Sequence, residues 1–123
     1  MNIIDSSGWL EYFADSKNSS FFAKAIENTE ELIVPSITLT EVFKKILIER
    51  NENDAIYVIA QMMQGQVSDL TADIAINAAK FGYELKLPLA DSIIYATARF
   101  YDAFIYTQDI DFKGLEKVKY IKK

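Results

Sequence analysis

Four acidic residues lie where predicted strands end or predicted helices begin: Asp5, Glu41, Asp91 and Asp109. In a parallel α/β sheet, groups at the carboxyl ends of the strands meet at one edge, so we expect these side chains to lie close together. Two carboxylates about 5 Å apart repel each other by roughly 3 kcal/mol at an effective dielectric constant of ~20. Such a cluster is tolerated only when some carboxyl groups stay protonated or divalent cations neutralise them. The four acids therefore predict a site for Mg²⁺ or Mn²⁺ bound by oxygen.

The chain has 123 residues and contains neither histidine nor cysteine. It therefore lacks the ligands of the usual zinc site, the base of a Ser-His-Asp triad and the thiol of a cysteine nucleophile. Chemistry by this chain must rest on carboxylates, hydroxyl groups, Lys, Arg or Tyr. Phosphodiester hydrolysis fits this restriction, because divalent cations can activate a water molecule and stabilise the leaving oxygen.

Each acid also has a purely structural explanation. The segment Thr38-x-x-Glu41 resembles a capping box, and the helix dipole stabilises Asp91 in a first helical turn by about 0.3–1 kcal/mol. Asp5 is a candidate helix cap, and Asp109 is a candidate Asx-turn residue. Taken together the four are harder to explain in this way, because without them the 18 acidic residues fall to 14, against 13 basic ones. We therefore favour a shared site over four separate caps.

The apolar segments predict a single α/β domain over residues 1–123. Short strands are expected in NII, ELIVP, QVSDL, AFIYT and KVKYI, the last of them at the sheet edge. Amphipathic helical segments separate most of these strands, which predicts a three-layer α/β/α domain with a central, mostly parallel sheet of four to five strands. In the fourth helix, Asn53 or Asp54 is the expected N-cap. Pro88 is expected to precede a helix over residues 90–101.

No apolar segment approaches the roughly 20 residues that a membrane-spanning helix requires. The N-terminal segment MNIIDSS has neither a basic region nor a long apolar stretch, so no signal peptide is predicted and the expected location is the cytoplasm, without membrane association. The formal net charge of −5 is unusual for a general nucleic-acid-binding protein. Contact with nucleic acid is therefore expected only at a local basic surface.

Four segments, NIIDSS, PSITLTEV, LPLADSIIYATA and IYTQDIDF, resemble in order and spacing the motifs of the PIN-domain ribonucleases. Within that family they are most similar to the VapC-type toxins of toxin–antitoxin pairs, and the resemblance covers the whole chain. It implies that Asp5, Glu41 and Asp91 are the principal metal-binding acids, with Asp109 as a fourth, more variable one. It also implies auxiliary roles for three residues at neighbouring polar positions: Ser6, Thr107 and Asp111.

The resemblance implies a metal-dependent endoribonuclease that uses Mg²⁺ or Mn²⁺ and leaves a 5′-phosphate and a 3′-hydroxyl. Members of the family commonly cleave tRNA or ribosomal RNA, form homodimers and are inhibited by a cognate antitoxin protein. Two alternatives stay open at this point: a PIN-like nuclease of RNA processing, and a PIN-like domain that serves as a non-catalytic binding or assembly module. The intact set of acids argues against the second.

Basic residues near the acids are candidates for contacts with RNA phosphates. Lys44 and Lys45 follow Glu41 by about one helical turn, Arg50 follows by two to three, and five of the 13 basic residues lie in residues 113–123. The alternative is that these side chains solvate a helix face or protect an edge strand. We retain Lys44, Lys45 and Arg50 as candidate RNA-binding residues.

Overall fold

The computed structural model describes all 123 residues of the chain. The strands are β1 (Asn2–Ile4), β2 (Leu32–Pro35), β3 (Gln66–Ser68), β4 (Phe104–Thr107) and β5 (Val118–Tyr120). The helices are α1 (Ser6–Phe13), α2 (Ser19–Glu27), α3 (Ser36–Glu49), α4 (Glu52–Met62), α5 (Ala72–Leu85) and α6 (Leu89–Tyr101). Short 3-10 turns occupy Thr29–Glu31 and Ile110–Phe112. None of the helices combines the length and the apolar character that crossing a bilayer requires.

All five strands pair in parallel, in the order β3-β2-β1-β4-β5. Helices cover both faces of the sheet, so the predicted three-layer α/β/α fold with four to five mostly parallel strands is confirmed. The strand predicted in KVKYI is confirmed as well and is the edge strand β5. The chain builds outward from β1 in both directions, so the strand order reverses between β1 and β4. Sheets of this kind bind their ligands at that point.

Alternate side chains of the central strands point into two separate cores. On one face, Ile4 packs against α1, α2, α3 and α4 around the buried rings of Trp9 and Phe22. On the other face, Ile3 packs against α6 through Ile94, and α5 covers α6 from outside. Burial on both faces explains why the strands read as continuous apolar runs. The two cores together anchor the strand ends from which the acids project.

The predicted capping box at the start of α3 does not form. The helix begins at Ser36, so Thr38 already lies inside its first turn. The Thr38 hydroxyl donates a hydrogen bond of 2.7 Å back to the Pro35 carbonyl and does not cap a free N–H. Glu41 consequently has no capping role in its own helix, because the box would require a non-helical residue at position 38.

Pro88 directly precedes α6, which begins at Leu89, so the predicted helix start is confirmed to within one residue. The predicted cap of α4 is wrong. Its N-cap is Asn51, which accepts a hydrogen bond of 2.8 Å from the Asp54 N–H, while Asn53 lies inside the helix. Because only two residues join α3 to α4, α4 starts directly after the first asparagine that can cap it.

Gly8 lies where α1 approaches the core most closely. A Cβ atom at this position would lie 2.6 Å from Phe22 Cε1 and 2.7 Å from Ile4 Cγ2. Because both neighbours are fully buried, we expect Gly8→Ala to lower the free energy of unfolding by about 1–3 kcal/mol, measured by urea denaturation. The control Ala79→Ser, on the exposed side of α5, should change it by less than about 0.5 kcal/mol. Equal stability of Gly8→Ala and the parent protein would contradict this packing.

Candidate functional site

Asp5 directly follows β1 and is the N-cap of α1. Its side chain accepts hydrogen bonds from the Gly8 N–H at 3.1 Å and from Ser7 Oγ at 2.8 Å. Only 3% of its surface is exposed. Burial raises the pKa of Asp5 from its ordinary value of 3.8 to about 6, although hydrogen bonds from Ser7, Gly8 and Thr107 act in the opposite direction. Asp5 is therefore both a helix cap and a buried acid at the end of the sheet.

Asp91 lies in the first turn of α6 and is half-buried. Burial, followed by four neighbouring carboxylates, raises the pKa of Asp91 from 3.8 to about 7; the four belong to Asp109, Asp5, Asp111 and Glu41. None of these five acids forms a salt bridge with a Lys or Arg side chain, so no ion pair offsets the repulsion at Asp91. Asp91 is thus the carboxyl group around which the other acids gather.

Asp109 and Asp111 lie beside Asp91, in the turn that follows β4. Carboxylate oxygens of these three residues, one from each, lie within 4.8 Å of one another. Asp109 accepts a hydrogen bond of 2.9 Å from the Asp111 N–H, and its own N–H donates to Thr107 Oγ1 at 2.8 Å. The Asx-turn predicted at Asp109 is therefore present, and it sets the same carboxylate beside Asp91.

Glu41 approaches the other acids from the second turn of α3. Its Oε1 accepts a hydrogen bond of 2.5 Å from Ser6 Oγ, which lies 35 residues earlier, at the start of α1. This bond holds Glu41 close enough to Asp91 for its charge to raise the pKa of Asp91. A serine at the start of α1 therefore replaces the missing capping interaction as the partner of Glu41.

The predicted acids gather, but not equally closely. Asp91, Asp109 and Asp111 form the tight group, and Asp5 and Glu41 lie around it. Asp111, expected only as an auxiliary acid, thus belongs to the centre of the cluster. A set of carboxylate oxygens that no protein cation neutralises at Asp91 has the donor chemistry that a hard divalent cation prefers. The site therefore fits such an ion.

Two of the basic candidates line a groove that contains none of the clustered acids. The groove has a volume of about 740 Å³, lies between α1, α3 and α4, and reaches Ser7 next to the capping carboxylate; Lys45 and Arg50 belong to its wall. Lys45 pairs with Glu49 at 3.0 Å, and Arg50 pairs with Asp54 at 3.4 Å. The positive charges of this wall are therefore balanced by acids of the same groove.

Lys123 of the C-terminal segment lines the same groove, and the other basic candidates lie elsewhere. Lys44 borders a separate, apolar groove between α3 and α4. In the C-terminal segment, Lys117 Nζ donates to the Asp102 carboxylate at 2.8 Å, and Lys119 Nζ lies 4.7 Å from the centre of the Phe104 ring. Lys117 lies next to the edge strand β5 and Lys119 lies in it, as expected if these basic side chains protect an edge strand.

Sequence reasoning missed two parts of the site. Ser7 donates to both oxygens of Asp5, at 2.8 and 3.1 Å, although the pattern Asp5-Ser-Ser indicated only a helix cap. Gln108 and Asn18 are buried polar residues whose side chains meet at 3.0 Å behind the β4 turn. No sequence signal identifies them, because the two partners are 90 residues apart.

The family model of the PIN domain matches residues 3–118. The chain therefore belongs to the PIN domain family, and the resemblance inferred from its four motifs is confirmed. A search of curated protein sequences gave no match.

Several solved structures share the fold along nearly their whole length. A chain of a toxin–antitoxin complex from Klebsiella pneumoniae is 22% identical with a TM-score of 0.79, over 97% of this chain and 96% of its own. VapBC2 from Rickettsia felis, bound to a DNA fragment from the promoter, is 12% identical with a TM-score of 0.75, over 98% and 97%. VapC20 from Mycobacterium tuberculosis, a toxin that cleaves the sarcin-ricin loop, is 16% identical with a TM-score of 0.73, over 96% and 98%. At these identities the likeness is one of fold.

Without metal, the protein should lose stability as the pH rises through neutrality. Asp5 and Asp91 bind protons more tightly in the folded protein than in the unfolded chain, because their pKa values of about 6 and about 7 exceed the ordinary 3.8. Their stabilising contribution is complete below about pH 4 and is lost as the pH rises through both raised values. We expect the Tm, measured with a chelator, to fall between about pH 5 and pH 8 and to rise again when Mg²⁺ is added at pH 8.

Asp91→Asn isolates the contribution of one carboxyl group to this pH dependence. The variant should show a shallower fall in Tm and, at about pH 8 with a chelator, a higher Tm than the parent protein. Asp73→Asn is the matched control, because Asp73 is an exposed acid in the first turn of the neighbouring helix α5, and it should keep the parent slope. Identical slopes for Asp91→Asn and the parent would refute the electrostatic origin of the effect.

Proposed function

We propose that this chain is a divalent-metal-dependent endoribonuclease, built as a single PIN-like domain over residues 1–123, and that it is the toxin of a type II toxin–antitoxin pair. The observation that carries the proposal is the cluster of acids around Asp91, at the carboxyl ends of β1 and β4, in a member of the PIN domain family. Such a cluster suits phosphodiester hydrolysis, which needs neither histidine nor cysteine.

The proposed ligands of the cation are the four predicted acids: Asp5, Glu41, Asp91 and Asp109. Asp111 is proposed as an auxiliary acid, which its place within 4.8 Å of the Asp91 and Asp109 oxygens supports. When bound, Mg²⁺ or Mn²⁺ neutralises the clustered charge and supplies the activation of water for attack on phosphorus. The proposed products carry a 5′-phosphate and a 3′-hydroxyl.

Two hydroxyl groups are proposed to position the acids. Ser6 Oγ binds one oxygen of Glu41 and leaves its second oxygen without a hydrogen-bond partner from the protein. Thr107 Oγ1 accepts the Asp109 N–H at 2.8 Å, and the Thr107 hydroxyl also lowers the pKa of Asp5 by hydrogen bonding. Both hydroxyls reduce the freedom of carboxylates that would otherwise turn away from one another.

The proposed substrate is RNA, with tRNA and ribosomal RNA as the candidates, which implies action in the cytoplasm. VapC20, a protein of the same fold, cleaves the sarcin-ricin loop, and this supports an RNA substrate here. Lys45 and Arg50 are proposed to contact phosphates, which their place on the wall of the groove beside the site supports. Lys44 is proposed as a more distant phosphate contact.

The proposed protein partner is an antitoxin that presents basic side chains to the acidic site. Toxin–antitoxin complexes from Klebsiella pneumoniae and Rickettsia felis share the fold of this chain, which supports such a partner. A net charge of −5 and an unneutralised acid cluster favour a cationic one. A homodimer is also proposed, and the adjacent helices α5 and α6 offer exposed apolar side chains for such a contact: Ile76, Tyr83, Leu89 and Phe100.

Asp91→Asn should reduce Mg²⁺- or Mn²⁺-dependent RNA cleavage by about a hundredfold or more, because the substitution removes a negative oxygen from the centre of the cluster. Cleavage is measured with total RNA in a chelator and in metal, and circular dichroism verifies that the variant is folded. Asp73→Asn should cleave as fast as the parent. Full activity of Asp91→Asn would show that the site is wrongly assigned.

Expression of the chain in a host without the antitoxin should arrest growth, and Asp91→Asn should not. Co-expression of a small neighbouring gene for a DNA-binding antitoxin should restore growth. Mapping of RNA 5′ ends after a pulse of expression identifies the cleaved RNA. Cleavage without growth arrest would instead favour RNA processing, and growth arrest by Asp91→Asn would favour a non-catalytic binding module.

A further inference from the structure

We propose that Glu11, Asn18 and Gln108 form a hydrogen-bonded support behind the β4 turn, which positions Asp109 relative to Asp5 and thereby sets the affinity of the site for a divalent cation. The inference rests on the proposed function, since it concerns the same carboxylates. The side chains of the three residues form no hydrogen bond with the carboxylates of the cluster. They are positioning residues that act through the backbone of the turn.

Gln108 lies between the two residues of the turn that serve the site, Thr107 and Asp109. Successive side chains of an extended chain point to opposite sides. The Thr107 hydroxyl points toward Asp5 and the Asp109 N–H, whereas the Gln108 side chain points away, toward α1. Gln108 is only 7% exposed. The turn is therefore held from both sides, by a hydroxyl in front and by an amide behind.

The support is a ring formed by three side chains and closed by the backbone N–H of Asn18. Gln108 Nε2 donates to Glu11 Oε1 at 3.3 Å, and Gln108 Oε1 accepts from Asn18 Nδ2 at 3.0 Å. The Asn18 N–H donates to Glu11 Oε2 at 2.8 Å and closes the ring. Asn18 Nδ2 also donates to the Lys122 carbonyl at 3.1 Å, which ties down the segment after β5. Because both polar atoms of Gln108 and both oxygens of Glu11 have partners, the ring has one preferred geometry.

The ring and the site share the rigid helix α1. Asp5 caps the start of this helix, and Glu11 lies in its second turn. The backbone bond of 3.2 Å from the Asp5 N–H to the Tyr106 carbonyl in front and the bond between Glu11 and Gln108 behind therefore connect α1 to β4 and its turn at two places. A displacement of the Asp109 backbone relative to α1 would therefore strain these connections. Metal affinity is sensitive to such shifts, since ligands must be held to within roughly 0.5 Å.

Gln108→Met tests the support, because methionine keeps the length of the side chain and removes both hydrogen bonds. We expect the dissociation constant for Mn²⁺, measured from the electron paramagnetic resonance signal of free Mn²⁺, to rise by about tenfold, as is usual for outer partners of a metal site. Tyr12→Phe is the matched control: it deletes an exposed hydrogen bond of 3.3 Å to Glu27 from the same helix, and it should leave Mn²⁺ binding unchanged.

Exchanging the side-chain types of Gln108 and Glu11 tests whether a restored ring also restores Mn²⁺ binding. Gln108→Glu alone sets a carboxylate against the Glu11 carboxylate and should weaken Mn²⁺ binding. Glu11→Gln combined with Gln108→Glu conserves the charge and allows all three bonds of the ring to form again, so Mn²⁺ binding should recover. Should Gln108→Met fail to fold, the same Mn²⁺ titrations are made with this pair of variants and with Asn18→Ala. Asn18→Ala removes the bond to Gln108 Oε1, keeps the bond between Gln108 and Glu11, and should also weaken Mn²⁺ binding.

A lower Tm of the metal-free Gln108→Met protein with unchanged Mn²⁺ affinity would overturn the proposal, because the ring would then only stabilise the fold. Lack of recovery in the exchanged protein would also count against it. The outcome is distinct from that of the proposed function. A parent protein that binds Mn²⁺ and responds to Gln108→Met but cleaves no RNA refutes the nuclease and leaves the support intact.

Discussion

The repulsion among the carboxylates around Asp91 is the constraint on which the rest of the site depends. The pKa values of about 6 for Asp5 and about 7 for Asp91 express the cost of keeping these groups charged, to which burial contributes most and the neighbouring carboxylates add. The fold tolerates that cost because the elements that carry the acids are anchored elsewhere. Ile3 and Ile4 hold β1 between two cores, and Ile94 holds α6 against the sheet. Repulsion at one edge is thus opposed by apolar burial across the whole sheet.

Structural and functional explanations of the acids turn out to be compatible. Asp5 caps α1, Asp109 forms an Asx-turn, and Asp91 lies at a favourable helix start, yet all three point into one cluster. A carboxylate that binds a backbone N–H has a defined direction, so the cap also orients the proposed ligand. Glu41 is the exception, because its predicted capping box is absent and Ser6 from another helix orients it instead.

The charge distribution separates the site from the adjacent groove. In the groove, Lys45 and Arg50 are paired with acids of α3 and α4, so the wall is close to neutral. At Asp91, all of the charges that shift the pKa are negative. Negative charge is therefore concentrated at the carboxyl ends of β1 and β4, where a cation is attracted. An overall acidic protein can in this way remain compatible with a negatively charged substrate.

The sequence by itself determined the element order, the parallel three-layer fold and the acids of the cluster, since strand runs, helix periods and turn acids are local signals. It predicted α6 after Pro88 almost to the residue and misplaced the cap of α4, where the shortness of the connection selected Asn51. Only the tertiary structure decided that Asp111 belongs to the centre and that Gln108 lies behind it. A hydrogen bond between residues 90 positions apart forms only because the fold brings distant segments together, and the local sequence does not predict that.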